Sequence, residues 1–578
     1  MAGLQPTYTI LIFNNLQQWT GYRYHHSDCV GYQTDSRGTP FEPGYGRSRD
    51  TLDRSYAGQR RPVHRRPQPV TRDLVIGLDS STTATKAIAW TGEGVALAEG
   101  RCAIPMSSPS PNQYEQNAED WWRSACAAIR GVLAKVGAER IAGLAISNQR
   151  ETFVPLDTSG KPVRPAILWL DTRAQAYVNW LSTRVGARRI HEITGKPVDV
   201  APVAYRLAWM LHEEPDAYER SAVFTDVHGY LAWRLTGVRV TSWASADPLG
   251  LLDMQKRDWA PEILETLRLE RARLPSLAPP GQMIGTVSES ASQATGLATG
   301  TPLVAGGGDG QAAGLGVNAL GSGRAYLNLG TAVVAGIHSA EYRTGQAWRT
   351  MGSCSAEGYY YETSLRSGTL LTDWFLEKCS GGQSRDLIEH QAASLPVGSC
   401  GILAVPYWGA VMTPYWDQNA RGCLLGLTPA HGAAHIYRAL LEGIAMEQAM
   451  VTGMIQAATG IEVKEFAAIG GGAASRLWCS IIADATGKPV KRSRTVEASS
   501  LGAAMCAAAG VGWFSTVALA AEAMHGEFAL VTEPDSNRNI RYSELLAIYR
   551  DVYPQLRTIY ERLADVQRMG RPSPDAES

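Results

Sequence analysis

Short apolar stretches that end in polar or glycine-rich turns recur along this chain and predict β-strands. Residues 74–90 read as a strand, a turn of Ser and Thr, and a second strand. Residues 325–337 repeat this design with a Gly-Thr turn. The hydroxyls and free backbone N–H groups at such a hairpin tip suit the oxygens of a phosphate. The alternative is an ordinary turn that Ser and Thr hydrogen bonds stabilise.

Another apolar strand, in residues 303–316, breaks into glycines around a single acid, Asp309. Glycines let the backbone and a ligand approach closely, and a carboxylate at a strand end can accept a proton from a hydroxyl. The alternative is that Asp309 only caps the helix that follows. This segment alone does not decide between the two.

A further strand leads into glycines at residues 466–476 and then into a helix predicted over 477–486. Glycines there would admit the flat face of a ligand, but the segment lacks the Gly-x-Gly-x-x-Gly spacing of a dinucleotide site. Apolar residues at helical spacing predict core helices over 119–136 and 435–458, the second ending at Gly460. The two hairpins and the glycine-rich segment at residues 466–476, the glycine shelf, suggest a nucleotide held in a cleft between two domains.

Composition places the chain in the ordinary globular class. At 578 residues, with 45% hydrophobic and 19% charged residues, it is long enough for several domains. A net charge of −1 gives no reason to expect nucleic acid or an anionic membrane as a partner, and no apolar run reaches the length of a membrane span. The nine cysteines include no Cys-x-x-Cys pair, so we expect reduced thiols and a cytoplasmic protein.

The two ends of the chain differ from the rest. Residues 1–72 are rich in Arg, Gly, Pro, Tyr and Gln and contain no Lys, which predicts a disordered extension or a misplaced start. Residues 567–578 are predicted to form a second disordered tail. The folded protein is therefore expected between residues 73 and 566.

A series of short motifs runs through the expected folded region. They are the hairpin at 79–86, Ser147-Asn-Gln-Arg-Glu-Thr152, Ala166-Ile-Leu-Trp-Leu-Asp-Thr-Arg173, the Asp309 segment, the Gly330-Thr331 hairpin, Pro414-Tyr-Trp-Asp417, Gly470-Gly-Gly472 and Glu497-Ala-Ser-Ser-Leu-Gly-Ala-Ala504. In this order they resemble the FGGY carbohydrate kinases of the actin, Hsp70 and sugar kinase superfamily. The resemblance implies an α/β fold with two ribonuclease-H-like domains, residues 73–322 and 323–566, and a cleft between them.

The resemblance also implies roles for individual residues. Asp309 matches the catalytic base, which accepts the proton of a sugar hydroxyl as that hydroxyl attacks the γ-phosphate of ATP in line. Asp79 would hold a water-coordinated Mg²⁺. Ser81 departs from the family, which usually has Gly there, so a slightly different turn or phosphate contact is expected. The matches to nucleotide-binding positions are Asp79, Thr82, Thr83, Lys86, Thr331, Gly471, Gly472 and Arg476.

On the substrate side, the resemblance assigns sugar binding to Gln149, Arg150, Glu151, Trp169 and Asp309. The Asn-Gln-Arg-Glu motif is similar to the glycerol kinase branch, in which a charged pair holds vicinal hydroxyls. The alternatives are a surface ion pair and, for Trp169, a core tryptophan. Ala201 stands where that branch has a polyol-binding Tyr, which predicts a wider pocket.

Other segments, at 233–237, 247–253, 256–259 and 303–316, are more similar to the xylulokinase-like (pentulose kinase) branch. We therefore expect ATP-dependent phosphorylation of a pentulose such as xylulose or ribulose. The alternatives are a kinase of glycerol, erythritol or another polyol, a kinase of a small signalling ketone, a sugar-sensing pseudokinase, and an ATP-driven relative of actin or chaperones. A homodimer is compatible with the sequence.

Overall fold

The computed structural model describes residues 72–321 and 323–569. The extension predicted at residues 1–72 and the tail predicted at 567–578 lie outside these ranges, apart from Arg72 and the last turn of the final helix. Within the described part of the chain, no helix is both long and apolar enough to cross a membrane. The eight cysteines found there are all free thiols, as the sequence predicts.

The first half of the described chain alternates strands and helices. Its strands are β1 (Leu74–Ser80), β2 (Ala84–Trp90), β3 (Ala96–Ala103), β4 (Glu115–Gln116), β5 (Ile141–Asn148), β6 (Phe153–Leu156), β7 (Ala166–Ile167), β8 (Val223–Asp226), β9 (Val240–Ser242), β10 (Leu252–Asp253), β11 (Asp258–Trp259), β12 (Ser276–Ala278), β13 (Met283–Thr286) and β14 (Pro302–Gly308). Its helices are α1 (Ala118–Val136), α2 (Gln175–Leu181), α3 (Ala187–Thr194), α4 (Val203–Glu213), α5 (Pro215–Arg220), α6 (Val227–Thr236), α7 (Trp243–Ala246), α8 (Pro261–Thr266), α9 (Glu289–Thr295) and α10 (Asp309–Gly316).

The main sheet of this half has six strands in the order β13-β14-β5-β1-β2-β3. Its centre is parallel, because β5 pairs in parallel with both β1 and β14. Strands β1 and β5 are buried along their whole length, as parallel strands require when both faces are covered. Helix α1 covers one face, where its Trp121 packs into a core with the side chains of Leu74, Ile76 and Leu78.

The second half has its own sheet and helices. Its strands are β15 (Arg324–Leu329), β16 (Val333–Ser339), β17 (Arg349–Gly352), β18 (Tyr359–Leu365), β19 (Leu403–Val405), β20 (Cys423–Leu425), β21 (Glu465–Ile469), β22 (Val490–Ser493) and β23 (Phe528–Thr532). Its helices are α11 (Thr369–Lys378), α12 (Arg385–Ala393), α13 (Ala433–Thr459), α14 (Arg476–Thr486), α15 (Ala498–Gly510), α16 (Val517–Met524) and α17 (Ser536–Met569).

The sheet of the second half has seven strands in the order β17-β18-β16-β15-β21-β22-β23. Strands β15, β21 and β22 are parallel, whereas β16, β17, β18 and β23 are antiparallel to their neighbours. The core helix predicted over 435–458 is confirmed as α13, and Gly460 ends it in the left-handed conformation with φ 75°. Both halves therefore place a parallel centre beside an antiparallel hairpin.

Helices α10 and α15 join the two halves through unusually close backbone contacts. An added Cβ at Gly502 of α15 would lie 1.9 Å from the carbonyl oxygen of Ala312, and one at Gly316 of α10 would lie 2.1 Å from that of Ala498. Only glycine fits at either position. Because α10 begins at Asp309, this crossing fixes the predicted base relative to the second half.

Candidate active site at the ends of the parallel strands

The carboxyl ends of three parallel strands bring the predicted acids to one edge of the first sheet. Asp79, near the end of β1, pairs with Ser147 on β5, and Gly307 on β14 pairs with the same serine from the other side. Asp309 follows β14 directly as the first residue of α10. This is the edge at which open α/β sheets bind their ligands.

Asp309 is held through only one of its carboxylate oxygens. Its Oδ1 accepts a hydrogen bond of 2.7 Å from the N–H of Gly310 and lies 3.0 Å from Nε of Arg150. Its Oδ2 accepts no hydrogen bond from the described residues. Although 39% of the side chain is exposed, desolvation by the surrounding protein raises the pKa of Asp309, and Arg150 partly offsets this. Gly308 is the N-cap of α10, so Asp309 is the first residue of the helix, and its Oδ1 satisfies one N–H of the first turn while Oδ2 does not take part in capping.

Arg150 lies across the glycines on either side of Asp309. An added Cβ would lie 2.6 Å from Cγ of Arg150 at Gly308 and 2.9 Å from its guanidinium carbon at Gly310. The arginine is buried, and its Nη1 donates to both oxygens of Glu362 at 3.0 and 2.8 Å. These glycines therefore make room for an arginine as well as for a ligand.

Glu151 is bound by an arginine from the second half and not by Arg150. Its Oε1 accepts a hydrogen bond of 2.6 Å from Nη1 of Arg349 on β17. Its φ of 47° lies in the left-handed region that non-glycine residues rarely adopt. Both Arg150 and Glu151 are buried, so the alternative of a surface ion pair is wrong.

Trp169 and Gln149, two predicted sugar-binding residues, differ in accessibility. Trp169 is 36% exposed and its Nε1 donates to Oγ1 of Thr82 at 2.9 Å, so the core alternative is wrong. Gln149 is buried, and its Nε2 donates to Oε1 of Gln116 at 3.0 Å. Gln116 in turn donates to the carbonyl oxygen of Thr82 at 2.7 Å. Gln149 therefore supports the first hairpin from inside the protein, and its role as a sugar contact stays a prediction.

Asp79 is the buried acid of the first hairpin. Its Oδ1 accepts a hydrogen bond of 2.9 Å from Ser147. Burial and, after it, the charge of Asp309 raise the pKa of Asp79 to about 7. A buried acid such as Asp79, to which no arginine or lysine of the described chain is bonded, fits a hydrated divalent cation. The described residues contain no cluster of three or more His, Cys, Asp or Glu that could hold a metal, so such an ion would be held largely by water and phosphate.

The tip of the first hairpin offers hydroxyls, while its lysine is already paired. Thr83 is exposed and Thr82 half-buried. Nζ of Lys86 lies 2.6 Å from both oxygens of Glu497, just before α15. Ser81 closes the turn with a side-chain hydrogen bond of 2.9 Å to a backbone carbonyl, which shows what this serine does in place of the usual glycine.

The second hairpin lies beside the glycine shelf, because β15 and β21 are parallel neighbours that end at the same edge. An added Cβ at Gly472 would lie 2.9 Å from the carbonyl oxygen of Leu329. Gly471 has no atom within 4 Å of such a Cβ, and Thr331 and Arg476 are exposed. The shelf is therefore open backbone next to a threonine hairpin.

Ala201 is tied to the residues around Arg150. Arg206 on α4 donates its Nη2 to the carbonyl oxygens of both Glu151 and Ala201. Its Nη1 donates to the carbonyl oxygen of Leu168, the residue before Trp169, at 2.7 Å. One buried guanidinium thus gathers the backbone of the three segments that carry predicted substrate contacts.

Sequence reasoning missed Glu362 and Arg349, which lie opposite each other on β18 and β17. The signal that could have found Glu362 is a single acid in a strand whose other residues are uncharged and which is fully buried. Such an acid needs a cationic partner. The sequence does not show that one of its partners is Arg150.

The sequence is similar to those of known carbohydrate kinases. The sequence model of the FGGY family of carbohydrate kinases, N-terminal domain, matches residues 74–316, and that of the C-terminal domain matches 325–511. A xylulose kinase of Bacillus subtilis is 28% identical over 509 residues, covering 86% of this chain and 99% of that protein. A glycerol kinase of Geobacter sp. (strain M21) is 31% identical over 487 residues, covering 81% and 96%.

Solved structures show the same fold. The ligand-bound xylulose kinase from Lactobacillus acidophilus superposes with a TM-score of 0.80 at 22% identity, covering 85% of this chain and 99% of that one. Plasmodium falciparum glycerol kinase with ADP gives a TM-score of 0.75 at 22% identity, covering 83% and 98%. With the family sequence models matching both halves, the chain belongs to the FGGY family of carbohydrate kinases and has the two-domain α/β fold of the actin, Hsp70 and sugar kinase superfamily.

Proposed function

We propose that this carbohydrate kinase transfers the γ-phosphoryl group of ATP to a hydroxyl of a five-carbon ketose such as xylulose or ribulose. The observation that carries the chemistry is the carboxylate of Asp309, with Oδ1 bound by the protein and Oδ2 left open. The observation that favours a ketose of this size is the small side chain of Ala201 next to Glu151.

In the reaction, Oδ2 of Asp309 accepts the proton of the attacking sugar hydroxyl. The sugar oxygen forms a bond to the γ-phosphorus, and the bond from that phosphorus to the β,γ-bridging oxygen breaks, which releases ADP. The raised pKa of Asp309 makes it a stronger proton acceptor than an ordinary aspartate. Positioning and charge neutralisation supply the larger share of the rate.

The nucleotide would lie between the two threonine hairpins and the glycine shelf. Thr82, Thr83 and Thr331 would donate hydroxyl and backbone N–H groups to phosphate oxygens. The family resemblance places Lys86 at the phosphates as well. Its Nζ would have to break its ion pair with Glu497 to bind a phosphate oxygen. Mg²⁺ near Asp79 would neutralise phosphate charge when bound. The remaining nucleotide contacts, on the adenosine side, would come from Gly471, Gly472 and Arg476.

The sugar would lie between Trp169 and Arg150. The exposed ring of Trp169 offers an apolar wall. Nη2 of Arg150 has no hydrogen-bond partner among the described residues, so it is the donor of this arginine that remains for a sugar hydroxyl. A tyrosine at position 201 would narrow this space, whereas alanine leaves volume for a longer chain. A xylulose kinase among the relatives matches nearly the whole chain, which supports the same substrate class.

A second candidate is a kinase of glycerol or another short polyol. It is favoured by the Asn-Gln-Arg-Glu motif and by the glycerol kinase relative at 31% identity. The buried ion pair of Glu151 weakens this candidate, because the charged pair of the motif would have to hold vicinal hydroxyls while Oε1 of Glu151 is already bound by Arg349.

The test is ADP release with ATP and Mg²⁺ over a panel that contains xylulose, ribulose, glycerol and erythritol. We expect the highest kcat/KM for one of the two ketoses. A maximum with glycerol or erythritol would replace the pentulose by a polyol, and no sugar-dependent ADP release with any member would overturn the proposed substrate class.

A further inference from the structure

Glu362 is the most completely coordinated acid near the site. It is fully buried and accepts hydrogen bonds from Nη1 of Arg150, from Nε of Arg349 at 2.8 Å and from the hydroxyl of Tyr326 at 2.6 Å. Burial alone would raise the pKa of Glu362, but Arg150 and Arg349 outweigh it and lower the pKa to about 2. The acid is therefore a fixed negative charge at any working pH.

The second sheet builds this acid into a cross-strand row. Arg349 on β17 is opposite Glu362 on β18, which is opposite Gly336 on β16, which is opposite Tyr326 on β15. An added Cβ at Gly336 would lie 2.2 Å from the ring of Tyr326. Only a glycine lets that ring cross β16 and reach an acid two strands away. The position of Glu362 is thus set by the strand pairing.

Glu362 determines what Arg150 can do for Asp309. An arginine beside a carboxylate ordinarily binds it with two nitrogens. Here Nη1 of Arg150 donates to both oxygens of Glu362, which fixes the orientation of the guanidinium plane, and in this orientation Nε lies 3.0 Å from Oδ1 of Asp309. Without that anchor the guanidinium would be free to turn its Nε and Nη2 edge onto both oxygens of Asp309 and to block the one that remains open.

We propose that Glu362 is a positioning residue for phosphoryl transfer, which holds Arg150 from the opposite half of the protein and so keeps Oδ2 of Asp309 free for the sugar hydroxyl. This inference rests on the proposed function for its catalytic meaning. The same contact links the halves, because Glu362 lies in the sheet that carries the second hairpin and Arg150 follows β5 of the first sheet.

The pH dependence gives the proposal its sharpest test. The charged groups that act on Asp309 are Arg150, which lowers its pKa, and Glu151 and Glu362, which raise it together with burial; Asp79 is also close enough for Asp309 to raise the pKa of that acid. In Glu362→Gln one raising charge is lost and Arg150 is freed. The pKa of Asp309 should then fall, and the acid limb of kcat/KM should move to lower pH by roughly 1 unit.

The experiment compares wild type and Glu362→Gln with the best sugar of the panel between pH 5 and 9. We expect kcat to fall about tenfold, the KM for ATP to stay within about twofold, and the acid limb to move as stated. Glu442→Gln is the matched control, since Glu442 is also a buried acid paired with an arginine, Arg438, at 2.8 Å, but lies on α13. Glu442→Gln should lower the stability of the protein and leave the acid limb of kcat/KM at the same pH as in wild type. A Glu362→Gln enzyme with an unmoved limb overturns the proposal.

A second variant covers a failure of Glu362→Gln to fold. Glu362→Gln with Arg349→Gln removes one charge of each sign from the same cross-strand pair. Because Glu151 also loses its partner Arg349 in this variant, Arg349→Gln alone is the reference. Relative to that reference the double variant should show the same movement of the limb. If the double variant folds and its limb coincides with that of Arg349→Gln, Glu362 is only structural.

A measurement without turnover separates this inference from the proposed function. Because the pKa of Asp309 is raised in the folded protein, wild type should lose stability relative to Asp309→Asn as the pH rises from 4 towards neutrality. In the Glu362→Gln background this pH dependence should shrink or reverse. If the panel shows no sugar kinase activity but the dependence shrinks, the proposed function falls and the control of Arg150 by Glu362 stands. If the pH dependence of stability is the same in the Glu362→Gln background as in wild type, the control of Arg150 by Glu362 is overturned.

Discussion

The hydroxyl of Ser499, in the first turn of α15, donates a hydrogen bond of 3.0 Å to the backbone carbonyl of Asp309. The backbone of the proposed base is thus held by the second half of the protein, independently of its carboxylate. A substitution of the side chain should therefore change the chemistry at this position without moving it.

Asp309→Asn keeps the shape of the side chain and removes the proton acceptor. We expect kcat to fall by roughly 10² to 10⁴, with the Kd for ATP changed less than about threefold, as measured by ADP release and calorimetry. Asp484→Asn is the control, since Asp484 is a buried acid on α14 that binds Arg538. A variant that keeps more than about a tenth of wild-type turnover would contradict the assignment of the base.

Ala201→Tyr should narrow the sugar pocket. We expect the ratio of kcat/KM for the preferred ketose to that for glycerol to fall about tenfold, because differences of one small group in a pocket have effects of this size. Ala201→Ser, which adds a hydroxyl but little volume, should leave the ratio nearly unchanged. If the tyrosine variant lost activity equally on both substrates, position 201 would not control size.

The pH dependence of stability should reflect Glu447, which is buried on α13. Burial raises the pKa of Glu447 to about 7, although the hydroxyls of Tyr549 and Tyr407 oppose this by hydrogen bonding. The folded pKa lies above the unfolded value of 4.5, so the folded state retains the proton and the free energy of unfolding should decrease as the pH rises from about 4.5 to 7.

Glu447→Gln removes this dependence. The stability of the variant relative to that of wild type should increase from pH 4.5 to pH 8, by at most roughly 3 kcal/mol. Urea unfolding at both pH values measures this difference. Asp484→Asn serves as comparison, because Asp484 is a buried acid with a charged partner, Arg538. A stability difference for Glu447→Gln that does not vary with pH would show that the acid titrates normally.

The crossing of α10 and α15 should depend on Gly502. An alanine there gains about 1 kcal/mol in helix propensity, but its Cβ would lie 1.9 Å from a carbonyl oxygen, so we expect a net loss of roughly 2 kcal/mol or more. Gly453→Ala in α13 is the matched control, because the nearest atom lies 3.8 Å away. It should stabilise the protein slightly. Equal effects of the two substitutions in thermal unfolding would contradict this account.

The parts of the site that the sequence predicts are those whose signal is local. The two strand-turn-strand patterns and the strand before Asp309 are confirmed as β1 to β2, β15 to β16 and β14, because alternation of apolar residues and turn chemistry act over a few neighbours. The helix end at Gly460 is confirmed for the same reason. Its left-handed conformation needs only the glycine itself.

The sequence does not predict the ion-pair partners of Arg150 and Glu151. Arg150 and Glu362 are 212 positions apart, and Glu151 and Arg349 are 198 apart. No local pattern encodes such pairs, so the motif around Arg150 suggests a charged pair with Glu151 when each residue in fact binds the second half. Gln149 illustrates the same limit, since the partner of its side-chain amide is Gln116 on β4, 33 positions away.

The cross-strand row of Arg349, Glu362, Gly336 and Tyr326 has a consequence for how the chain finds its fold. A slip of β18 by one residue would turn Glu362 to the opposite face of the sheet and leave Arg349 and Arg150 without their shared counter-charge in a buried place. Burying two arginines without a counter-charge costs free energy, so mispaired arrangements of the second sheet are less stable than the native one. The charged residues proposed to serve catalysis therefore also disfavour incorrect strand pairing in the domain that carries them.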